Sequence, residues 1–560
     1  MPSVSLSSVL VLAPDAVPIL SGIDLALGPG RHGLTGPNGG GKSTLLRVIA
    51  GEAPVAAGHR VVRGEVGYLP QRLAAAPDAA VAELLGVAGP LAALRRIEAG
   101  GLDPADFDAV GADWDLEDRI AAQVGRLGLA GIGLDRRVGS LSGGEAVALA
   151  FAGLLLRRPG VLLLDEPTNN LDARWREALM DGIGGFGGVL LAVTHDVGLL
   201  DRMDRIGELR GGELAWYPVP FAAFEEAKRV ARESAERRVT QAKAQVKSQR
   251  RDLQESQTKQ ARRDAQGRAQ AGSMPKILAN AMKRKAERTA ARNKGIHEAR
   301  LGEAQEELAE AKDGLERRIR FRLELPETQV PAGRMVLELD HVRPAHTDLD
   351  VSLLVKGPER IGITGPNGTG KTSLLRCALG EAKPEAGRVK LYVPARALPQ
   401  DLALLDDSLT VLQNMELPPT KKPMGAPSTE MAEGGAGPDS LTRANEPVAR
   451  QGDASAFVGA RTPAELRERL ARLGFRGDKV HQAAGTLSGG ERWRATLAAL
   501  LLRGEPPQLL VLDEPTNNLD LDSQSFLLEA LAAYRGALLV VSHDEAFLSA
   551  INLTGRLRLP

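Results

Sequence analysis

The sequence predicts an α/β protein built from two copies of one domain joined by an antiparallel α-helical coiled-coil hairpin. Three observations lead there. A set of short motifs occurs twice, strand-length apolar runs end in those motifs, and residues 225–320 between the copies have seven-residue spacing and no aromatics.

The duplication is explicit. "GPNGGGKST" at 36–44 returns as "GPNGTGKTS" at 365–373, and "LSGGE" at 141–145 returns at 487–491. "LDEPTNNLD" at 164–172 returns at 512–520, and "VTHD" at 193–196 as "VSHD" at 541–544. The offset is 329 from Lys42 to Lys371 and from Gln71 to Gln400, and 348 from Glu166 to Glu514 and from His195 to His543. The second copy has therefore gained residues between Gln400 and Glu514. That gain falls at 418–462, where Pro, Gly, Ala and Ser dominate; such a composition buries too little apolar surface to order itself, and a disordered surface insertion is expected.

The totals set limits. A chain of 560 residues is too long for one domain and suits domains of about 1–220, 221–332 and 333–560. Basic and acidic residues number 71 each, and no apolar run approaches the roughly 18 residues a membrane span needs. The N-terminal stretch has no basic leader with an unbroken apolar core, and the one cysteine, Cys377, permits no internal disulfide. A cytoplasmic protein is expected.

Each glycine-rich stretch matches G-x-x-x-x-G-K-[ST], after an apolar segment and before a helix-like one. Its main-chain N–H groups suit nucleotide phosphates. Candidates are Gly36, Asn38, Gly39, Gly41, Lys42, Ser43 and Thr44, then Gly365, Asn367, Gly368, Gly370, Lys371, Thr372 and Ser373. The lysines would neutralise phosphate, and the Ser43 and Thr372 hydroxyls would face Mg²⁺. The runs "VLLLDE" and "LLVLDE" end in paired acids: Asp165 and Asp513 for the Mg²⁺ shell, Glu166 and Glu514 to orient and deprotonate a water. Gln71 and Gln400 are candidates for sensing Mg²⁺ and the γ-phosphate, as are His195 and His543 for approaching that phosphate from the ends of apolar strands. Ser142, Gly143 and Gly144, with Ser488, Gly489 and Gly490, open helices as anion sites. Each copy already has a P-loop, so the two are expected head to tail, each LSGGE closing over the other's nucleotide.

This motif set resembles the ATP-binding cassette family, over residues 1–220 and 333–560. The resemblance implies two P-loop ABC-type ATPase domains, ATP and Mg²⁺ as cofactors, and two composite sites. One would combine Lys42, Ser43, Gln71, Asp165, Glu166 and His195 with Ser488 and Gly490; the other Lys371, Thr372, Gln400, Asp513, Glu514 and His543 with Ser142 and Gly144. The chain departs from the family in offering no aromatic ring before either P-loop, only His341 and His346 before the second, so guanine remains an alternative to adenine. It also has Ala148 where the second copy has Arg494, so the two sites need not turn over alike.

Between the copies, Val239, Val246 and Leu253 recur every seven residues, as do Leu301, Leu308 and Leu315, with Ala304 and Ala311 between them. That is a coiled-coil seam. With "QGRAQAGSMP" as the turn, two helices of about 40 residues are expected. The seam stops between Leu253 and Leu301, and residues 254–300 hold 12 basic residues against 4 acids. A charge run is usually a solvated helix face. Its placement where packing is lost points instead to an outside polyanion, and the lack of aromatics to phosphate and shape contacts with folded RNA. The candidates are Lys276, Lys283, Arg284, Lys285, Arg288 and Arg292.

Twin cassettes, no membrane domain and a long charged hairpin resemble the ABC-F proteins, ATPases that bind ribosomes. "WYPVPFAAFEEAK" at 216–228 is similar to the lead into that family's linker. The resemblance implies a ribosome partner, with rRNA and the P-site tRNA within the linker's reach, no stable membrane partner, and an intramolecular sandwich in a monomer. It implies either a translation factor or protection against antibiotics, and the long tip favours protection. The family's inserted arm between Gln and LSGGE is expected small or absent, because that interval is the shorter one in the first copy. The rival readings are the energy subunit of a drug exporter and a DNA-repair ATPase.

Overall fold

The structure, a computed structural model, describes residues 1–73, 76–169, 171–217, 220–270, 295–296, 299–310, 326–398, 404–417, 462–517 and 519–560. They fall into two compact units, Met1–Phe221 with Phe321–Pro560, and Ala222–Arg320.

The first unit holds both copies of the repeat, and each folds by the same rule. In the first, a six-stranded sheet runs in the order Val66–Leu69, Val161–Asp165, Val189–Val193, Gly30–Thr35, Arg205–Arg210, Glu213–Tyr217. All neighbours are parallel except the last pair. In the second the order is Ala395–Leu398, Leu509–Asp513, Ala537–Val541, Arg360–Thr364, Gly555–Arg558, parallel throughout. Each copy adds a three-stranded antiparallel sheet: Pro18–Leu27, Ser3–Leu12 and Ala57–Arg63 in one, Val351–Lys356, Met335–Arg343 and Ala386–Leu391 in the other.

The unbroken apolar runs have a packing reason. Parallel strands are covered on both faces, so alternate residues enter different cores. Val161, Leu163, Val189, Leu191 and Val193 pack with the small sheet and the helix Lys42–Ala50. Leu162, Leu164, Leu190 and Ala192 pack against the helices Gly143–Leu156 and Ala173–Gly184. The second copy divides Leu509, Val511, Leu539 and Val541 from Leu510, Leu512, Leu538 and Val540 in the same way.

The strand order positions the chemistry. Four neighbouring strands end, on one edge of the sheet, at the turn of Gln71, at Asp165–Glu166, at His195, and at the P-loop. Ligands bind in such sheets at the carboxyl ends of the strands.

The interval between Gln71 and LSGGE in the first copy holds the helices Val81–Leu84, Ala88–Glu98, Pro104–Val110 and Leu116–Arg126. Two of them share a small core of Ala93, Leu94 and Val110, beside a Phe107–Trp114 ring pair with centroids 6.0 Å apart.

In the second unit, one helix runs from Phe221 to Gln270, 50 residues or about 75 Å. It is longer than the spacing predicts and passes through Gly267, inside the expected turn. Val239, Ala242 and Val246 are buried on it, and Ala304 is buried on the helical stretch 299–310. Lys276, Lys283, Arg284, Lys285, Arg288 and Arg292 lie outside the described residues, as do Gln400, Ala311 and Leu315. So does the expected insertion except Thr462, whose hydroxyl accepts from Glu465 N to cap the helix Pro463–Arg472. Cys377 is buried and unpaired. Among the described residues no helix is long and apolar enough to cross a membrane.

Candidate functional site

The P-loops turn into their helices through backbone that favours glycine. Gly41 and Gly370 stand at φ 87° and 90°, in the left-handed region, immediately before the helices Lys42–Ala50 and Lys371–Ala378. A Cβ on Gly370 would lie 2.5 Å from Thr347 Cγ2. With the chain so turned, each lysine folds over its own loop. Lys42 Nζ donates to the carbonyls of Gly36 (2.8 Å) and Pro37 (3.0 Å), and Lys371 Nζ to those of Gly365 (2.7 Å) and Pro366 (2.8 Å). Burial lowers the pKa of both ammoniums.

The acids come next. Asp165 is buried beside Ser43 and the Tyr68 hydroxyl, and burial raises its pKa. Its Oδ1 has no hydrogen-bond partner. Asp513 accepts from Thr372 Oγ1 at 2.7 Å and is likewise raised by burial. Glu166 and Glu514 adopt φ of 50° and 46°, a left-handed conformation costly for a side chain of this size. Main-chain bonds hold them there: Glu166 N donates to Val193 O at 2.8 Å, and Glu514 N to Val541 O at 2.9 Å. Burial pushes the Glu166 carboxyl up to about 8 and that of Glu514 up to about 7, near the value wanted of a general base at neutral pH.

The histidines face these carboxylates. His195 Nε2 is 3.3 Å from Glu166 Oε1, and its Nδ1 meets Thr35 Oγ1 at 3.2 Å. His543 Nε2 is 3.5 Å from Glu514 Oε1, which accepts no hydrogen bond, and 3.1 Å from Lys371 Nζ. Burial, Lys371 and Arg176 together hold the His543 imidazole down to about 4.

The two copies meet head to tail. A cavity of about 520 Å³ is lined by Ser142, Gly143 and Gly144 of the first copy and by Asn367, Gly368, Gly370, Lys371, Thr372 and Ser373 of the second. Glu166, His195, Asp513, Glu514 and His543 open onto the same space. At the reciprocal place, a Cβ on Gly489 would stand 3.7 Å from Asn38 Cβ, and Asn38 N donates to Asp520 Oδ2 at 2.9 Å across the interface. Each LSGGE therefore abuts the other copy's P-loop.

Some candidates do more, or stand elsewhere. Ser142 and Ser488 are the N-caps of their helices, each in a capping box with the glutamate of LSGGE: Glu145 N donates to Ser142 Oγ at 3.2 Å, and Glu491 N to Ser488 Oγ at 3.4 Å. Gln71, expected in the Lys42 site, is exposed just after the strand Val66–Leu69. Arg494 donates to Gly490 O at 3.3 Å and lies over the Phe475 ring, near Asp520 and Asp522, while Ala148 is simply buried.

Sequence reasoning missed three groups. Asp172 and Asp520 cap the helices Ala173–Gly184 and Leu521–Ala533, accepting from Trp175 N (3.1 Å) and Ser523 N (2.8 Å), and both also act on the opposite cassette. Their repetition at the end of "LDEPTNNLD" was the available signal. Tyr68 had none: its hydroxyl, pushed up to about 12 by burial and by Asp165, has Ala397 at its place in the second copy. Arg176 had none either, since Gln524 stands at its place in the second copy.

These residues fit a magnesium–nucleotide pair. The vacant Asp165 oxygen, the Asp513–Thr372 pair and the two lysines are the donor set such a ligand uses. Among the described residues no three His, Cys, Asp or Glu side chains converge to hold a metal alone. A cation at Asp165 or at Asp513 and Thr372 would share its coordination with the phosphates.

Comparison with known proteins agrees. The family profile described as ABC transporter matches residues 20–169 and 349–517. The tylosin resistance ATP-binding protein TlrC of Streptomyces fradiae is 33% identical, covering 94% of this chain and 92% of its own. The energy-dependent translational throttle protein EttA of Escherichia coli is 31% identical, covering 96% and 89%. Among solved structures, the RNase-L inhibitor (TM-score 0.51, 20% identity) and an archaeal ribosome recycling factor (0.50, 20%) each cover 97% of this chain and 86% of their own, and show the same fold. With two matched cassettes and relatives spanning nearly its whole length, the chain belongs to the ATP-binding cassette family, as an ATPase of its ABC-F group.

Proposed function

We propose that this chain is a cytoplasmic, monomeric ribosome-binding factor driven by ATP and Mg²⁺, and that it gives antibiotic resistance by protecting the ribosome. The observation that carries this reading is a cavity built by both cassettes, with the reciprocal contact of Asn38 and Asp520 between them, in a chain that also holds a 50-residue helix from Phe221 to Gln270. Residues 1–220 and 333–560 would be the cassettes and 221–332 the linker, a coiled-coil hairpin seamed by Val239 and Val246 on one arm and Ala304 on the other. Residues 228–300 hold 21 basic residues against 7 acids, which suits a polyanion such as rRNA or the P-site tRNA. Lys276, Lys283, Arg284, Lys285, Arg288 and Arg292 would make phosphate contacts toward the peptidyl-transferase region.

At the pockets, Ser43, Gln71 and Asp165, with Thr372, Gln400 and Asp513, would hold Mg²⁺, which when bound neutralises phosphate charge. Glu166 and Glu514 would orient water and take its proton. His195 and His543 would fix the γ-phosphate from the other side. ATP would close the sandwich and hydrolysis reopen it, releasing the ribosome.

The name of TlrC supports the resistance role, and that of EttA supports a second reading, a housekeeping translation factor. Co-sedimentation of the Glu166→Gln/Glu514→Gln variant with 70S ribosomes tests both. ATP-dependent pelleting is expected. Absence of pelleting with any nucleotide would remove the ribosome and favour an exporter subunit. Tylosin susceptibility of a sensitive host carrying the wild-type chain then separates resistance from housekeeping.

A further inference from the structure

In the helices that follow the two "LDEPTNNLD" motifs, one matched place holds Arg176 in the first copy and Gln524 in the second. Arg176, on Ala173–Gly184, reaches across the interface. Its Nη1 donates to the main-chain oxygen of His543 at 3.2 Å, between residues 367 apart in sequence. Its Nη2 is ion-paired with Asp196, the residue after His195 in its own cassette. Asp196 is itself fixed: it is buried, it caps a short helix by accepting from Leu199 N at 3.2 Å, and its own N–H donates to Thr194 Oγ1 at 3.1 Å. Glu514 and Asp544 add negative potential around the guanidinium. Arg176 thus ties the histidine turn of one cassette to that of the other. Gln524 lines the same cavity, yet its Nε2 donates to Leu519 O at 3.2 Å, inside its own cassette.

We propose that Arg176 is a positioning residue acting in trans on the Lys371 pocket. By fixing the main chain at His543 it sets how the imidazole meets Lys371 and Glu514, and the Lys42 pocket has no arginine at the matching place. The guanidinium suits this task because its planar fork serves two acceptors in different directions at once. Lysine would retain the charge toward Asp196 and lose the fork. The inference rests on both pockets being ATP sites.

The test uses the full chain with one pocket silenced at a time. Glu166→Gln leaves hydrolysis to the Lys371 pocket, and Glu514→Gln leaves it to the Lys42 pocket. Misplacing a catalytic group by about 1 Å costs up to about a hundredfold. In the Glu166→Gln background, Arg176→Gln should lower kcat about tenfold or more with KM for ATP changed less than about threefold. In the Glu514→Gln background the same change should lower kcat less than about threefold. Arg176→Lys should fall between parent and Arg176→Gln in the first background only, and it decides the matter if Arg176→Gln fails to fold. Equal losses in both backgrounds, or none in the first, would overturn the assignment. Wild-type hydrolysis by the Glu166→Gln/Glu514→Gln parent would instead overturn the pockets themselves, before any arginine variant is read.

Discussion

Asp520 gives one carboxylate two separable tasks. Its Oδ1 accepts from Ser523 N and caps the helix Leu521–Ala533, while its Oδ2 accepts from Asn38 N of the opposite P-loop at 2.9 Å. The first bond exists within one cassette; the second exists only when the cassettes are together. Serine caps a helix about as well as aspartate, yet its hydroxyl is one atom shorter and cannot also reach Asn38. Asp520→Ser should therefore leave the melting temperature of the nucleotide-free chain nearly unchanged. In the sandwich it removes a charge-assisted hydrogen bond of about 1.5–3 kcal/mol. Taking about 2 kcal/mol, the closing equilibrium falls about 30-fold, and with two nucleotides closing the sandwich the ATP needed for half-closure rises about 5-fold, the square root of that factor. Asp520→Ala should add the lost cap, about 1 kcal/mol, seen as a further drop of about 2–4 °C on melting. The assay is energy transfer between a dye on each cassette, titrated with ATP in the Glu166→Gln/Glu514→Gln background. An Asp520→Ser chain that closes at the parent's ATP concentration would refute the reasoning.

Gly370→Ala places a methyl group against Thr347 at a φ that alanine resists, so the second P-loop should lose its nucleotide and binding stoichiometry should halve in a fluorescent-nucleotide titration. Trp493 is buried edge-on to Phe526, 5.6 Å between centroids; Trp493→Ala should cost about 3–5 kcal/mol and lower the melting temperature by roughly 10 °C. The depressed pKa of His543 carries a signed pH dependence. Above pH 6.5 the imidazole is neutral in folded and unfolded chains alike. Between 6.5 and about 4 only the unfolded chain gains the proton, so stability present at neutral pH is lost on acidification through that window. Denaturant melts across it should fall less steeply for His543→Gln than for the parent.

What was legible in the sequence was what local backbone geometry dictates. Gly41 and Gly370 sit where their loops need a left-handed residue. The strands ending at Asp165 and Asp513 are continuous runs because both faces are covered. Seven-residue spacing marked Val239 and Val246, which are buried, although the helix carrying them runs past the glycine expected to end it. The contacts that join the cassettes were not legible. Asn38 meets Asp520 and Arg176 meets His543 across hundreds of residues, and neither bond has a spacing that a linear reading can detect. The serines of LSGGE were half-read: that they open helices beside a P-loop was anticipated, but not the capping box each forms with the glutamate of its own motif.

The left-handed backbone at Glu166 and Glu514 has a consequence for how such a chain would drift. A residue with a long side chain at that φ costs roughly 1–2 kcal/mol that glycine does not. For folding alone, the matched glutamates are thus poor choices, and glycine would be the better one. A laboratory selection for thermal resistance, blind to hydrolysis, should accumulate glycine at 166 and 514 early, yielding sturdier chains with inactive pockets. Recovery of activity and of heat resistance should therefore pull these two positions in opposite directions, and their identity in any evolved variant would report which pressure had prevailed.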